Sequence, residues 1–458
     1  MISSCKFDWP KMASILFLLC AATAIALPAQ TFTTLVDFDK INGGVPSGGL
    51  LQGTDGNLYG TTQQGGGPNE AGIVFKVTVD GAVTVLHRFT VYDGQYPWAG
   101  LIQGMDGVFY GTTAGGGANL AGTIFGIASD GKLTTIYSFD YSDGASPEGT
   151  LIRATGGSLY GTTALGGSIG AGNVFRFTPS GKVIVLHTFT GSDGLYPESG
   201  LVAGTDGSLY GTTVDGGSYN YGTVFRINSD GSFTSLRSFN LTDGAYPQAA
   251  LVEGSDGNLY GTTDSGGAGN GTVFVMTPSG TLTTLHAFTL SEGSFPYGSL
   301  VQATDGNFYG TTGYGGSNNL GSIFSVTPCG SLTVLHSFSD NEGTNPIAGL
   351  LQDTDGSFYG TTKAGGRFHW GTIFRFSLGL GPFVEPLPTS GKIGSAVKIL
   401  GTNLTGATSV TFNGVAATFT VVSATEIKAT VPTGSTTGKV QVVTPTGTLT
   451  SNVVFRVP

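Results

Sequence analysis

Charge is scarce in this chain. Lys, Arg, Asp and Glu make up 10% of its 458 residues, against the roughly 25% of an average globular protein. Only 19 residues are Lys or Arg, they are scattered, and the net charge is −10. The basic patch that a nucleic-acid surface needs is therefore missing, and no DNA or RNA partner is expected. Cysteine is nearly absent too: Cys5, Cys20 and Cys329 are the three, and no Cys/His pair has zinc-finger spacing. No P-loop, dinucleotide-binding glycine motif or Ser/His/Asp grouping stands out. The Asp-Gly turns lack the multiple Asp spacing of a calcium loop. No metal site and no cofactor are expected.

Long apolar runs are also rare. The segment Ala13 to Ala26 is shorter than the roughly twenty residues of a spanning helix, and Lys6 and Lys11 precede it. Residues 1–29 read as a secretory signal cut near Ala29, with an uncleaved anchor as the other reading. Removal of that segment takes Cys5 and Cys20 with it, so Cys329 is expected to form no internal disulfide, and no membrane span is expected to remain. An acidic, disulfide-free, exported chain suggests a bacterial protein that is secreted or held in the cell envelope.

What the chain has is glycine, 78 residues, with 11% aromatics. Few charges with abundant glycine and aromatics suit short strands and tight turns, not disorder. The tetrad Tyr-Gly-Thr-Thr begins at Tyr59, Tyr110, Tyr160, Tyr210, Tyr260, Tyr309 and Tyr359, at spacings of 49 to 51 residues. A period near fifty means a repeat architecture. Within one period the pattern predicts four short strands: Leu201 to Gly204, Ser208 to Thr213, Gly222 to Ile227 and Phe233 to Phe239. Asp206-Gly207 and Asp230-Gly231 supply turn chemistry between them. Four antiparallel strands in fifty residues is the pattern of a propeller blade.

The strand count is offset by one. Third strands carry Phe75, Phe125, Phe175, Phe225, Phe274, Phe324 and Phe374, but a fourth strand follows only the first six. The missing copy is at the other end, where Thr31 to Phe38 matches the fourth-strand phrase with no repeat before it. The expected fold is all-β: a seven-bladed β-propeller over 30–378, closed by its N-terminal strand, because closure removes exposed sheet edges. A linker at 379–390 overlaps the start of a second module, 382–458. There Ala396 to Leu400 and Ser409 to Phe412 read as strands, and Asn413-Gly414 is a hairpin signal. A small immunoglobulin-like β-sandwich is expected.

Two resemblances follow from these residues. Residues 31–376, with their recurring DG-x-LYGTT and GTVF phrases, resemble the GloVer tandem-repeat family, whose members are described as carrying a choice of C-terminal anchors. The module at 382–458 resembles the IPT/TIG immunoglobulin-like family through Gly401 to Leu404, Val410 to Val415 and Ala429 to Pro432. The first resemblance implies export and a cell-surface or extracellular setting, but no reaction and no site residues. The second implies a spacer or adhesive module.

Candidate site residues come from the loops where the repeats differ. The second-to-third loops and the blade-to-blade loops share one face of the ring. In the blade-to-blade loops, the residue after the proline is Ser47, Trp98, Glu148, Glu198, Gln248, Tyr297 and Ile347. The other loops offer Tyr219, Tyr221, Tyr314, Phe368, His369 and Trp370. Variable loops on a rigid scaffold are where binding sits, and aromatics mixed with carboxylates and amides suit a glycan or a peptide. Glu148 and Glu198 hold the same position in neighbouring blades. They are the candidate catalytic carboxylates if the chain is a carbohydrate-active enzyme, a hydrolase or a lyase; glycoside hydrolysis needs such a pair. The other reading of these loops is plain turn structure. His87, His187, His286 and His336 recur in the outer strand and read as half-buried packing. The expected function is a secreted or surface-displayed binding or structural protein, with the carbohydrate-active enzyme as the alternative.

Overall fold

The computed structural model describes residues 30–153 and 157–458. Residues 1–29, which hold the expected signal, lie outside the described residues. The described regular structure is all β. Each repeat forms one four-stranded antiparallel sheet whose spatial order follows the chain. Blade four is Val202–Ala203, Leu209–Thr213, Thr223–Ile227 and Phe233–Ser238, from the axis outward. Seven such sheets form the propeller. The second strand is buried at every position because neighbouring blades cover both of its faces; hence Leu-Tyr-Gly-Thr-Thr rather than an apolar–polar alternation. The outer strand is half exposed.

Each member of the tetrad has a separate task. In blades one, five and six the Tyr ring packs on an aromatic of the next blade, Tyr59 on Phe109 at 3.9 Å between centroids and Tyr260 on Phe308 at 4.0 Å. In blades one, two, four, five and six its hydroxyl donates to the Asp of the preceding turn, as Tyr210 does to Asp206 at 2.7 Å. The Gly makes room: a Cβ on Gly211 would lie 2.5 Å from Phe225 Cζ. The first Thr donates across the seam to the next blade's axial loop, Thr61 to the Ala99 carbonyl at 2.9 Å. The second pairs with the third strand, Thr213 Oγ1 to Thr223 Oγ1 at 2.9 Å.

The last sheet is completed from the start of the chain. Thr31–Asp37 pairs antiparallel with Thr372–Ser377, in the outer position of blade seven. The register skips Leu35 between Thr34 and Val36, as it skips Leu86 between Val85 and His87 in blade one. The N-terminal strand thus carries the same bulge at the same place as the outer strands inside the array. Val36 and Phe38 are buried with Leu58, Phe75, Tyr359 and Ile373 in one cluster between blades seven and one.

The C-terminal module is two packed four-stranded sheets. Its core holds Val397, Ile399, Phe412, Ile427, Val440 and Phe455. Asn413-Gly414, both with positive φ, joins strands Ser409–Phe412 and Val415–Ala416 in the two-residue hairpin geometry that matches strand twist. The module docks on the Asp-Gly turn face of the ring. Thr425 donates to the Thr54 carbonyl at 2.9 Å in blade one, and Thr402 bonds Thr354 at 3.0 Å in blade seven. Arg456 donates to the Gly204 carbonyl at 2.7 Å and pairs with Glu253 at 3.0 Å, in blades four and five. Those two pairs of blades stand across the ring from each other, so the module spans the axis.

One expectation is corrected: Cys329 is disulfide-bonded. That expectation applied to the chain after removal of residues 1–29, which lie outside the described residues.

Candidate functional site

The site is built by the seven blade-to-blade loops. In each, the residue before the proline is non-glycine and left-handed: Val45, Tyr96, Ser146, Tyr196, Tyr246, Phe295 and Asn345, with φ between 54° and 57°. Such a conformation costs on the order of 1–3 kcal/mol at a non-glycine residue, and hydrogen bonds hold it on both sides. The Tyr246 amide donates to Tyr221 of the preceding blade at 2.9 Å, and its carbonyl accepts from the amide of Asp264 at 3.2 Å. The Val45 amide makes the equivalent bond to Trp370 across the closure at 2.9 Å. This clamp aims the residue after each proline toward the axis. It also ties the residue before the proline to the one that follows the tetrad, whose amide donates to it in every blade.

The result is a cavity of about 580 Å³ on the loop face, within the range of small-ligand sites. Its lining includes Ser47, Trp98, Glu148, Glu198, Gln248, Tyr297 and Ile347, the whole post-proline set, together with Tyr314, Lys363, His369 and Trp370. The same seven post-proline residues border a smaller cavity of about 150 Å³, walled by the small residues (Gly, Ala, Ser and Thr) that follow them in the inner loops. Of the sequence candidates, Tyr219 and Tyr221 are not brought there. Tyr219 is 59% exposed. Tyr221 packs edge-on against Tyr246 at 5.8 Å, within the seam between blades four and five. Phe368 is exposed and lies under the Arg367 guanidinium at 5.2 Å.

Charge is distributed unevenly around the mouth. Blades three to five contribute Glu148, Glu198, Asp215 and Asp264. Glu148 accepts from the Ser146 hydroxyl at 2.8 Å. Burial pushes its pKa up, with that hydroxyl pulling the other way. Glu198 is pushed up to about 7 by burial first, then by the charges of Glu148 and Asp215. Asp264 is 5% exposed; burial and then Glu198 hold it well above the usual carboxylate range, and its Oδ1 has no partner. Burial also raises Asp215. Tyr297 is raised to about 12 by burial, then by Asp264 and Tyr314. The opposite wall, from blades seven to two, is cationic and aromatic. The Lys363 ammonium lies 5.6 Å from the Trp98 ring centre; outside the cavity lining, Lys40 lies 5.0 Å from that of Trp370 and pairs with Glu70 at 2.7 Å. Trp370 in turn packs on Gly44, where a Cβ would meet its ring at 2.7 Å. Among the described residues, no group of three or more His, Cys, Asp and Glu is placed to hold a metal ion.

Asp264 and Lys363 were not singled out from the sequence. Both follow the tetrad directly, a position held elsewhere by Gln63, Ala114, Ala164, Val214 and Gly313. Variation at a fixed place beside an unvarying phrase was the available signal.

The recurrent histidines are occupied elsewhere. His87 bonds Asp93 at 2.9 Å, His187 bonds Asp193 at 2.9 Å, and His286 bonds Glu292 at 3.1 Å. Asp93 Oδ1 accepts from the Thr90 amide at 2.7 Å, so each pair pins the loop that leaves its outer strand. Tyr137 with Asp143 and Arg237 with Asp243 substitute for the pair in blades two and four.

Similarity to known proteins agrees with this geometry. Solved structures with the same architecture share little sequence. The extracellular domain of a putative hybrid two-component system, BT4673 from B. thetaiotaomicron, is 13% identical with a TM-score of 0.54, over 82% of this chain and 46% of that one. The corresponding domain of BT3049 is 13% identical with a TM-score of 0.50, over 90% and 52%. A fungal alcohol oxidase of the AA5 family, in complex with copper, is 14% identical with a TM-score of 0.55, over 93% and 99%. The chain thus spans about half the length of the two extracellular domains it matches. No curated protein matches it. The IPT/TIG domain model matches residues 384–457. The repeat model matches 22–207 and 200–417, most of the chain, and the protein belongs to the Gloeobacter/Verrucomicrobia repeat family, with a C-terminal IPT/TIG domain.

Proposed function

We propose that this is an exported protein, secreted or held at the cell surface, that binds an extracellular carbohydrate or peptide in the loop-face cavity. One observation carries the reading. The most variable positions of the repeat, two Trp, two Tyr and two Glu among them, line a single 580 Å³ cavity, while the repeated phrase builds the walls. Flat apolar faces give contact area and the polar groups give orientation. The extracellular origin of two structural neighbours favours the setting. Tryptophan fluorescence tests the proposal, because Trp98 and Trp370 both line the cavity. Screening glycan and peptide libraries is expected to find ligands that quench it, and Trp98→Ala is expected to weaken them about tenfold or more. Hits that bind the alanine variant equally well place the ligand elsewhere.

A second reading is favoured by one observation. Glu198, raised to about 7, stands in the field of Glu148. Paired carboxyls held in different protonation states are what glycoside cleavage uses. Incubating a bound glycan with the wild type and with Glu198→Gln separates the readings. Turnover lost in the variant supports an enzyme; binding without turnover supports a binding protein.

A further inference from the structure

The two walls of the cavity carry opposite charge and do not neutralise each other. Glu148, Glu198 and Lys363 all line it. Yet Lys363 makes no ion pair among the described residues; its ammonium rests beside Trp98 instead. A flexible lysine within reach of a carboxylate would pair with it, so the ring holds these groups apart. Behind Glu198 the buried Asp264 keeps one oxygen unpartnered, although buried polar atoms are normally satisfied. One side of the site therefore offers acceptors and the other a donor.

Charge complementarity narrows the ligand further. A neutral sugar would leave both charged walls unmatched, whereas a short peptide carries an ammonium at one end and a carboxylate at the other.

Resting on the binding role proposed for this cavity, we infer that its ligand is a short peptide taken as a zwitterion. The peptide's amino group lies against Glu148 and Glu198, with Asp264 behind them. Its carboxylate lies against Lys363 and its apolar side chains on the aromatic rings of the cavity, Trp98, Tyr297 and Trp370. Each end then forms charge-assisted hydrogen bonds with the wall it faces.

The test is calorimetric titration of the full-length protein with the tripeptide Leu-Gly-Leu, its N-acetyl form, its C-terminal amide, and maltotriose as an uncharged sugar. The free tripeptide is expected to bind, and blocking either end is expected to weaken it about tenfold or more. Glu198→Gln is expected to remove the distinction between free and acetylated forms, and Lys363→Met that between acid and amide. Both substitutions nearly conserve volume, and unchanged thermal unfolding confirms that each variant is folded. Equal binding of blocked and free tripeptides overturns the inference. Binding of maltotriose with no tripeptide signal overturns it too, while leaving the cavity as a binding site. Silence with both peptide and sugar counts against both readings.

Discussion

Thr361 of the last blade donates its hydroxyl to the carbonyl of Pro46, ahead of the first blade, at 3.5 Å. This is the bond that Thr262 makes to the Pro296 carbonyl between blades five and six, at 2.9 Å. The seam where the chain's two ends meet is built from the same side chains as the internal seams. The ring is held by repeated chemistry, with no special closing device.

Deleting residues 30–40 should therefore be severe. It removes a whole outer strand, including Phe38, which is fully buried, and Val36, which is 6% exposed. Full burial of such side chains contributes about 1.5–3 kcal/mol each, and ladder hydrogen bonds about 0.5–1.5 kcal/mol each. The sum rivals the whole stability of a typical domain. Thermal unfolding should show a large fall in Tm or loss of the folded state; an unchanged Tm would refute closure by this strand.

The glycine of the tetrad makes a sharper test. In Gly211→Ala the new methyl would meet Phe225 Cζ at 2.5 Å and Leu201 Cδ2 at 2.9 Å. Overpacking of this kind costs about 1–3 kcal/mol. Gly381→Ala, where a Cβ meets nothing within 4 Å, is the control and should change stability by less than about 0.5 kcal/mol. Chemical denaturation that ranks the two substitutions equally would remove the packing explanation.

Stability should fall as pH rises through neutrality. Glu198, Asp353 and Glu385 are each raised to about 7, chiefly by burial. Unfolded carboxyls titrate near 4, so the folded state binds more protons than the unfolded between about pH 4 and 7. The stabilisation these groups give is fully present below the unfolded pKa and is lost as pH rises through the folded one. His187 and His336 are lowered by burial and act in the opposite sense, below their ordinary value of 6.5. Calorimetry between pH 6.5 and 8 should thus show Tm decreasing, and Glu198→Gln with Asp353→Asn should flatten the slope. A Tm that rises across this window would contradict the assignment.

Arg456 couples the two modules. It reaches Gly204 and Glu253 from the far end of the C-terminal sandwich, and Glu253 is well buried in that pair. Arg456→Ala leaves a carboxylate without its counter-charge, so about 1–3 kcal/mol of docking should be lost. Differential scanning calorimetry should then resolve two unfolding transitions where the wild type shows one. A single unshifted transition would mean that the module is held by its other contacts, at Thr354 and Thr54.

Much of this was legible in the amino-acid order. A fifty-residue period with four strand-and-turn phrases specifies blades, because each blade needs local hairpins and little else. The offset of one strand specifies how the ring closes, since no other segment matches the missing phrase. Even the axial position of Trp98, Glu148, Glu198 and Tyr297 follows from their place after a proline in the loop between blades. Tertiary structure alone decided the rest. It set Tyr221 into a seam and left Tyr219 outside the cavity, although the loop of Tyr221 makes the same backbone bonds as that of Trp370, which lines it. It brought Glu148, Glu198 and Lys363, up to 215 residues apart in sequence, to a common mouth. Local pattern specifies a blade, but which side chains confront each other across the axis depends on how seven blades are placed around it, and that relation exists only once the ring is closed.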